Sequence, residues 1–445
     1  LYVRIYSYLE KNNLIYSKQF GFRGNHSTNH ALISLTEHIR NLVDNGHYVC
    51  GIFVDLEKAF DTVHHKILCD KLQAYGLRGN INNLLKSYLS NRKQFVSING
   101  FDSVLKDITC GVPQGSSLGP LLFLLFINDF RLCLSKTSMG HFADDTIIVC
   151  DSKRAKTIET RAKTIETIIN TELKLVIKWL RLNKLSLNTG KTELIFFHSA
   201  RRTLNYDKIF INFNGKRLIP VDHIKYLGVY IDKFLLWKHH INELCKKLSR
   251  ANGIISKLRY NAPFDICLQV YYAIFYSHLI YGCNVWGLSS EENINKLQVL
   301  QNKCLRIMTF SPWNSSTNHI FIQLNLLKVR EIIKLNHLKL VYDFQCQHLP
   351  LDLMSLFELS KDVHTTNLLL KSSINNLLFI PTIETETYGK NSIRYHCAKL
   401  WNDTFKTRSL QITESKHEQI SLINSIHHFK NTLKKHYLYQ YYLEI

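Results

Sequence analysis

Three carboxylates stand where chemistry could use them. Asp55 ends a near-continuous apolar run that includes Val49, Ile52, Phe53 and Val54. Asp144-Asp145 lies between His141-Phe142-Ala143 and Ile147-Ile148-Val149. The first run reads as a strand over 48–55 covered on both faces, and 141–150 as strand, tight acidic turn, strand. Adjacent carboxylates between apolar strands repel one another and resist burial unless a cation offsets them. Hard oxygen ligands select Mg²⁺ or Mn²⁺. Two such ions about 3.5–4 Å apart can stabilise both the attacking and the leaving oxygen of an in-line phosphoryl displacement. Most Asp-Asp pairs are solvated turn residues, so the pair by itself leaves both readings open.

The elements that must position these residues alternate between strand and helix. Residues 1–47 read as helix and loop, ending in the turn Asp44-Asn45-Gly46. Helices are expected over 63–75 and 81–89, and a strand over 94–98 with Asn99-Gly100 as its turn. Gly111-Val112-Pro113-Gln114-Gly115 is a loop feeding a helix that can begin near Leu118, with Pro120 tolerated in its first turn. A perfect tandem heptad follows the acidic hairpin, 154–160 repeated as 161–167. Seven residues are close to two helical turns, so the insertion rotates a helix face by only about 20°. Short strands are expected at 194–197 and 226–232. Beyond them Ile241, Leu244, Leu248, Ala251, Ile255 and Leu258 form an apolar helical stripe. Lys246, Lys247, Arg250 and Lys257 lie off it, free to meet phosphates or simply to be solvated.

The charge balance is the strongest compositional signal. The 445 residues hold 56 Lys plus Arg against 35 Asp plus Glu, a net charge of +21. That excess points to a polyanionic partner, nucleic acid or an acidic membrane surface. The longest apolar runs, such as 121–127, fall far short of the roughly 18 residues a spanning helix needs. Residues 268–287 are interrupted by Gln269, Ser277, His278 and Asn284 and read as a buried helix, so no membrane partner is expected. Eleven cysteines occur, none spaced Cys-x-x-Cys, which argues for free thiols in a reducing compartment and against zinc. The chain starts at Leu1 and reads as part of something longer.

The order of segments carries a resemblance. Phe53-Val54-Asp55-Leu56-Glu57-Lys58-Ala59-Phe60-Asp61-Thr62-Val63 resembles the first palm motif of reverse transcriptases from non-LTR, LINE-type retrotransposons. Gly111-Val112-Pro113-Gln114-Gly115-Ser116-Ser117-Leu118-Gly119-Pro120 looks like the next motif, and Phe142-Ala143-Asp144-Asp145 like the third. Leu185-Ser186-Leu187-Asn188-Thr189-Gly190-Lys191-Thr192 resembles the fourth, and Tyr226-Leu227-Gly228-Val229 the primer-grip hairpin. Upstream, Gln19-Phe20-Gly21-Phe22-Arg23 and His26-Ser27-Thr28 match the fingers motif. Tyr281-Gly282-Cys283-Asn284-Val285-Trp286-Gly287 extends the similarity towards jockey-like elements.

The resemblance implies an α/β right-hand polymerase fold: fingers and palm with an antiparallel sheet over 1–232, a helical thumb over 233–330, and a helical C-terminal extension over 331–445. It implies synthesis of DNA on an RNA template from the 3′-OH of a DNA primer or target, with dNTPs and two Mg²⁺ ions. Asp55 and Asp144 would be the principal metal ligands, and Asp145 a weaker or outer one. Phe60 would exclude a ribonucleotide 2′-OH. Gln114 would touch the incoming nucleotide, and Gly115 would let backbone approach it. Arg23 would pair with the triphosphate, and Lys191 would protonate the leaving pyrophosphate. A nuclear or cytoplasmic location follows from the resemblance alone. Complete elements of this kind carry an endonuclease before the polymerase, and no such segment is read here. The rival readings are a catalytically dead nucleic-acid-binding remnant and a reverse transcriptase of the group II intron type.

Overall fold

The computed structural model describes residues 1–152, 158–201, 205–363, 377–406 and 425–443. The chain forms two compact units, one of residues 1–31 and 46–222, the other of residues 32–45 and 223–445.

The first unit is built on a four-stranded antiparallel sheet. In chain order its strands are β1 (Val49–Val54), β2 (Ser138–Phe142), β3 (Asp145–Asp151) and β4 (Glu193–Phe197), lying side by side as β2-β3-β1-β4. All six residues of β1 are buried, as its unbroken apolar run requires. The helix Gly119–Ile127 is apolar on every side, which fits a place at the centre rather than the surface. Leu121, Phe123 and Phe126 share one hydrophobic cluster with Ile52 and Val54 of β1. Phe130, just beyond this helix, stacks on Trp179 with ring centres 4.3 Å apart. Trp179 belongs to the helix Ile158–Leu182, which buries Ile165, Ile169, Leu173 and Val176 at helical spacing. That helix runs through the second heptad, while the start of the first copy lies outside the described residues. Helices His65–Ala74 and Asn80–Leu89 fall where periodicity places them.

Two expectations need correction. The strand over 94–98 is broken into Lys93–Gln94 and Ser97–Ile98, each with its own antiparallel partner around the Asn99-Gly100 turn. The stretch 268–287 is not one helix. It runs as Phe264–Val270, a π-helical turn Tyr271–Tyr276 and Ser277–Ile280, then stops before Cys283–Trp286. Gly282 adopts φ +64° there, a left-handed conformation that ends a helix at little cost only without a Cβ.

The second unit is mainly helical. The expected strand over 226–232 is the second half of a hairpin, His223–Tyr226 paired with Val229–Asp232. The long helix Lys238–Leu258 buries Ile241, Leu244, Leu248, Ala251 and Ile255 of the predicted stripe, leaves Leu258 half-buried at its end, and lies along Glu291–Thr309. Residues beyond 330 join this same unit: Val329–Gln345 packs on Glu291–Thr309, Ile393–Lys406 and Ile426–Leu443. Buried polar groups tie it together. Gln301 donates to Leu327 O at 2.9 Å and to Tyr271 Oη at 3.1 Å. Glu37 accepts from the N–H groups of Ile393 and Arg394, at the start of the helix Ile393–Lys406. All eleven cysteines are unpaired thiols. No helix among the described residues is long and apolar enough to cross a membrane.

Candidate active site

Sheet register brings the three carboxylates to one end of the first unit. Val54 pairs with Thr146, so Asp55 and Asp145 follow one step beyond the last β1–β3 pair. Phe142 pairs with Asp145, leaving Ala143-Asp144 as a two-residue turn. Ala143 takes φ +58°, a left-handed conformation that costs a residue bearing a Cβ about 1–2 kcal/mol.

Gln19 holds that turn. Its side chain is buried, and its Oε1 accepts from Ala143 N at 3.0 Å and from Gly21 N at 2.9 Å. Its Nε2 donates to Ala143 O at 3.4 Å. The backbone beside it extends the sheet: Phe20 N donates to His141 O and His141 N to Lys18 O, both at 2.9 Å. A Cβ on Gly21 would stand 2.4 Å from Ala143 N, so only glycine lets this segment lie against the acidic turn. His141 is buried, and burial pushes its protonation down to about 3. Its Nδ1 lies 2.8 Å from Thr146 Oγ1, which itself donates to Asp144 O at 3.2 Å. Because the hydroxyl proton is already committed, Nδ1–H of the neutral imidazole is the donor.

The electrostatics of the cluster are those of a site short of positive charge. Asp144 titrates above the usual carboxylate range because it is partly buried and faces the charge of Asp55. Asp145 is pushed up to about 6, first by loss of hydration and then by Asp144 and Asp55. None of the three has an ion-pair partner among the described residues. Elsewhere in the same unit acids do find cations: Asp129 meets Lys71 at 2.6 Å and Glu10 meets Arg23 at 2.8 Å. As they stand, no three ligating side chains among the described residues close on a common metal position. Two carboxylates completed by substrate phosphate oxygens are a usual Mg²⁺ environment, and this donor set fits that pattern.

The segment before β4 forms the opposite wall. Leu56 bridges to Leu187, Glu57 N donates to Ser186 O at 2.9 Å, and Asn188 N donates to Asp55 O at 2.9 Å. Asn188 Oδ1 accepts from the N–H groups of Gly190 and Lys191, which sets the turn presenting Lys191. Asp55, Lys58, Ser186, Asn188 and Lys191 line one cleft of about 480 Å³. Lys191 thus shares a cleft with Asp55.

Phe60 and Gln114 also come together. The Phe60 ring stacks on Phe123 with centres 4.1 Å apart and meets Phe22 edge-on at 6.1 Å. Val112 N donates to Phe60 O at 2.9 Å, which laces the Gly111–Gly115 loop onto the turn after Asp55. Gln114 Nε2 donates to Asp61 Oδ1 at 2.7 Å. Gly115 has φ +78° with open space around its missing Cβ, so its backbone conformation, not a crowding neighbour, calls for glycine.

Arg23 departs from its expected role. Its Nε and Nη2 form a fork on Glu10 at 3.0 and 2.8 Å, and Nη1 donates to the carbonyls of Tyr16 and Gln19. Four N–H directions are committed within the protein and the side chain is almost wholly covered. It anchors the segment that carries Gln19 instead of facing a phosphate. In the second unit Lys246, Lys247, Arg250 and Lys257 are all exposed, and Lys246 meets Glu243 at 2.6 Å.

Residues 2–231, just over half of the chain, match the family model for reverse transcriptase (RNA-dependent DNA polymerase). The chain belongs to that family. Among its relatives are non-LTR retrotransposon polymerases. It is 29% identical over 352 residues to the RNA-directed DNA polymerase from mobile element jockey of Drosophila funebris, covering 76% of this chain and 37% of that one. It is 31% identical over 326 residues to the probable RNA-directed DNA polymerase from transposon X-element of Drosophila melanogaster, covering 70% and 34%. The chain therefore spans little more than a third of these relatives. The solved apo telomerase of Candida tropicalis aligns at 13% identity over 75% of this chain and 54% of that one, with a TM-score of 0.39.

Proposed function

We propose that the chain is the polymerase of a non-LTR retrotransposon, extending a DNA primer 3′-OH with dNTPs on an RNA template. The observation that carries this reading is the cluster Asp55, Asp144 and Asp145: three carboxylates brought together by sheet register, two of them, Asp144 and Asp145, raised by burial and then by neighbouring carboxylate charge, and none with an ion-pair partner among the described residues. Asp55 and Asp144 would hold two divalent ions, Mg²⁺ or Mn²⁺, with Asp145 outside them keeping the site anionic. When bound, such ions supply the positive charge that stabilises the attacking and leaving oxygens of phosphoryl transfer.

The chain's own residues do the rest. Lys191, which lines the same cleft as Asp55, would give a proton to the departing pyrophosphate. Phe60, pinned between Phe123 and Phe22, offers a rigid ring against the nucleotide sugar and selects by clash against a 2′-OH. Gln114, oriented by Asp61, contacts the nucleotide from the loop side. Gln19 and Thr146 keep the turn bearing Asp144 in one conformation, which limits the reorganisation needed at reaction.

Primer extension on poly(A) RNA with an oligo(dT) primer and dTTP tests the reading. Asp144→Asn keeps the size and hydrogen-bonding shape of the side chain but removes one charge. Extension should fall by about a hundredfold or more while RNA binding persists. Near-normal extension by that variant would remove Asp144 from the site, and no extension by the unmodified chain would favour a remnant that only binds.

A further inference from the structure

An aromatic pocket lies at the far end of the basic helix in the second unit. Lys238–Leu258 ends at Leu258, and the next residue, Arg259, lays its guanidinium against two rings that meet edge-on. It sits 4.6 Å from the centre of Tyr260 and 4.4 Å from that of Phe310, which are themselves 5.5 Å apart. Arg259 Nη1 donates to Ile307 O at 2.8 Å, fixing the plane of the fork. Beside it opens a cavity of about 500 Å³, lined by Arg259, Phe310, Ser311, His319 and Gln323 among others. Tyr260 and Phe310 remain 67% and 58% exposed, although burying such rings is ordinarily favourable. Trp313, two residues past Ser311, is 85% exposed. Its loop is held in shape, since Arg306 donates to Ser315 O at 3.0 and 2.8 Å.

We propose that this pocket receives an unpaired base of single-stranded RNA. The inference rests on the reading that the chain works on nucleic acid, and it adds a site outside the catalytic cleft. Charge argues for the occupant: exposed Lys246, Lys247, Arg250 and Lys257 follow one another along the helix that leads to Arg259. Such a run tracks phosphates, and rings with a stacked guanidinium at its end hold a base by its π-face. His319 and Gln323, both exposed at the rim, offer polar groups to a ribose 2′-OH, which favours RNA over DNA.

The experiment compares a short oligo(U), the same strand with abasic riboses, and oligo(dT), each titrated against the full chain. Trp313, on the loop two residues past the lining residue Ser311, is the exposed tryptophan that can report, because Trp179, Trp237, Trp286 and Trp401 are all buried. Oligo(U) should quench tryptophan emission and abasic RNA should not, with the quench lost in Trp313→Phe. Phe310→Ala and Tyr260→Ala should each weaken oligo(U) binding about tenfold and leave abasic RNA unchanged. Arg259→Lys, which keeps the charge and removes the stacking plane, should do the same with no change in salt dependence; it carries the test if an aromatic variant melts early. Equal loss on oligo(U) and abasic RNA, or no loss on either, overturns the base pocket. Equal affinity for oligo(dT) overturns the assignment to RNA. Because binding and not extension is read, a chain that extends no primer can still pass or fail this test.

Discussion

Two sets of acids, one in each unit, are handled in opposite ways. In the second, Glu37 is almost fully covered, accepts two helix N–H groups at 2.8 and 3.1 Å, and lies beside the charge of buried Arg40. Burial still raises it above the usual carboxylate range, but its oxygens are satisfied. Asp44 is treated alike, accepting from Thr385 N and Oγ1 at 2.9 and 2.6 Å. In the first unit Asp55, Asp144 and Asp145 have no ion-pair partner among the described residues, although Lys191 lines the same cleft as Asp55. A carboxylate kept for structure is given its partners by the fold. A group of them left unpartnered destabilises the free protein, and that is the signature of a site completed by a ligand.

Substitutions should separate the two behaviours. The largest effect is catalytic: Asp144→Asn lowers extension by about a hundredfold or more and leaves the melting temperature unchanged or raised, since one repulsion is relieved. Glu37→Ala should do the reverse, costing about 1–3 kcal/mol or more because the N–H groups of Ile393 and Arg394 lose their acceptor and buried Arg40 loses the larger of its acidic neighbours, keeping Asp232. Chemical denaturation of both variants checks this, and a destabilised Asp144→Asn would erase the contrast.

Phe60→Ala sharpens the catalytic side. Ribonucleotide use should rise relative to deoxynucleotide use by on the order of tenfold or more, as a lost steric clash permits. The half-buried ring should cost less than the about 3–5 kcal/mol of a core phenylalanine. Paired kcat/KM values for rUTP and dTTP, with melting alongside, decide it. An unmoved ratio makes Phe60 a packing residue only.

Acid should strain both units through buried imidazoles. His141 and His337 are each pushed down to about 3 from 6.5, His141 by burial and His337 by burial and then by His396. As pH falls through about 6.5 the unfolded chain takes up these protons first, so their contribution is complete above 6.5 and is lost progressively towards 3. His141→Asn and His337→Asn should each flatten the dependence of the urea midpoint on pH in that window. An unchanged slope would mean the imidazole already titrates normally in the folded state.

The smallest effect concerns the basic helix. Changing Lys246, Lys247, Arg250 and Lys257 to Gln should flatten the log–log salt dependence of RNA binding by about three units, at roughly 0.7–0.9 per phosphate contact. A slope that stays put leaves that face solvated.

Much of the first unit was legible because its signals are local. The apolar run ending at Asp55, the hairpin around Asp144 and the helix after Pro120 each follow from side-chain period and turn chemistry within about ten residues. The second unit was less so. The break at Gly282 lies inside a stretch whose composition suits one buried helix, and only packing decides that the chain turns there. Arg23 shows the limit for single side chains: its motif suggests a phosphate ligand, while the fold aims its fork at Glu10, thirteen positions away. Gln19 was visible within a motif, but nothing in its neighbours says it clamps Ala143.

The sequence by itself determined which residues are chemically able to act: hard carboxylates at strand ends, a ring five positions past Asp55, and a large positive charge. Those properties belong to residue type and short-range spacing. The tertiary structure alone decided which of them meet. Asp55 and Asp144 are brought to one place by pairing β1 with β3, Lys191 reaches that cleft through Asn188, and Arg23 is drawn away from it. Hydrogen-bond register between distant strands, and the competition of each charge for its nearest partner, depend on contacts that no local pattern encodes.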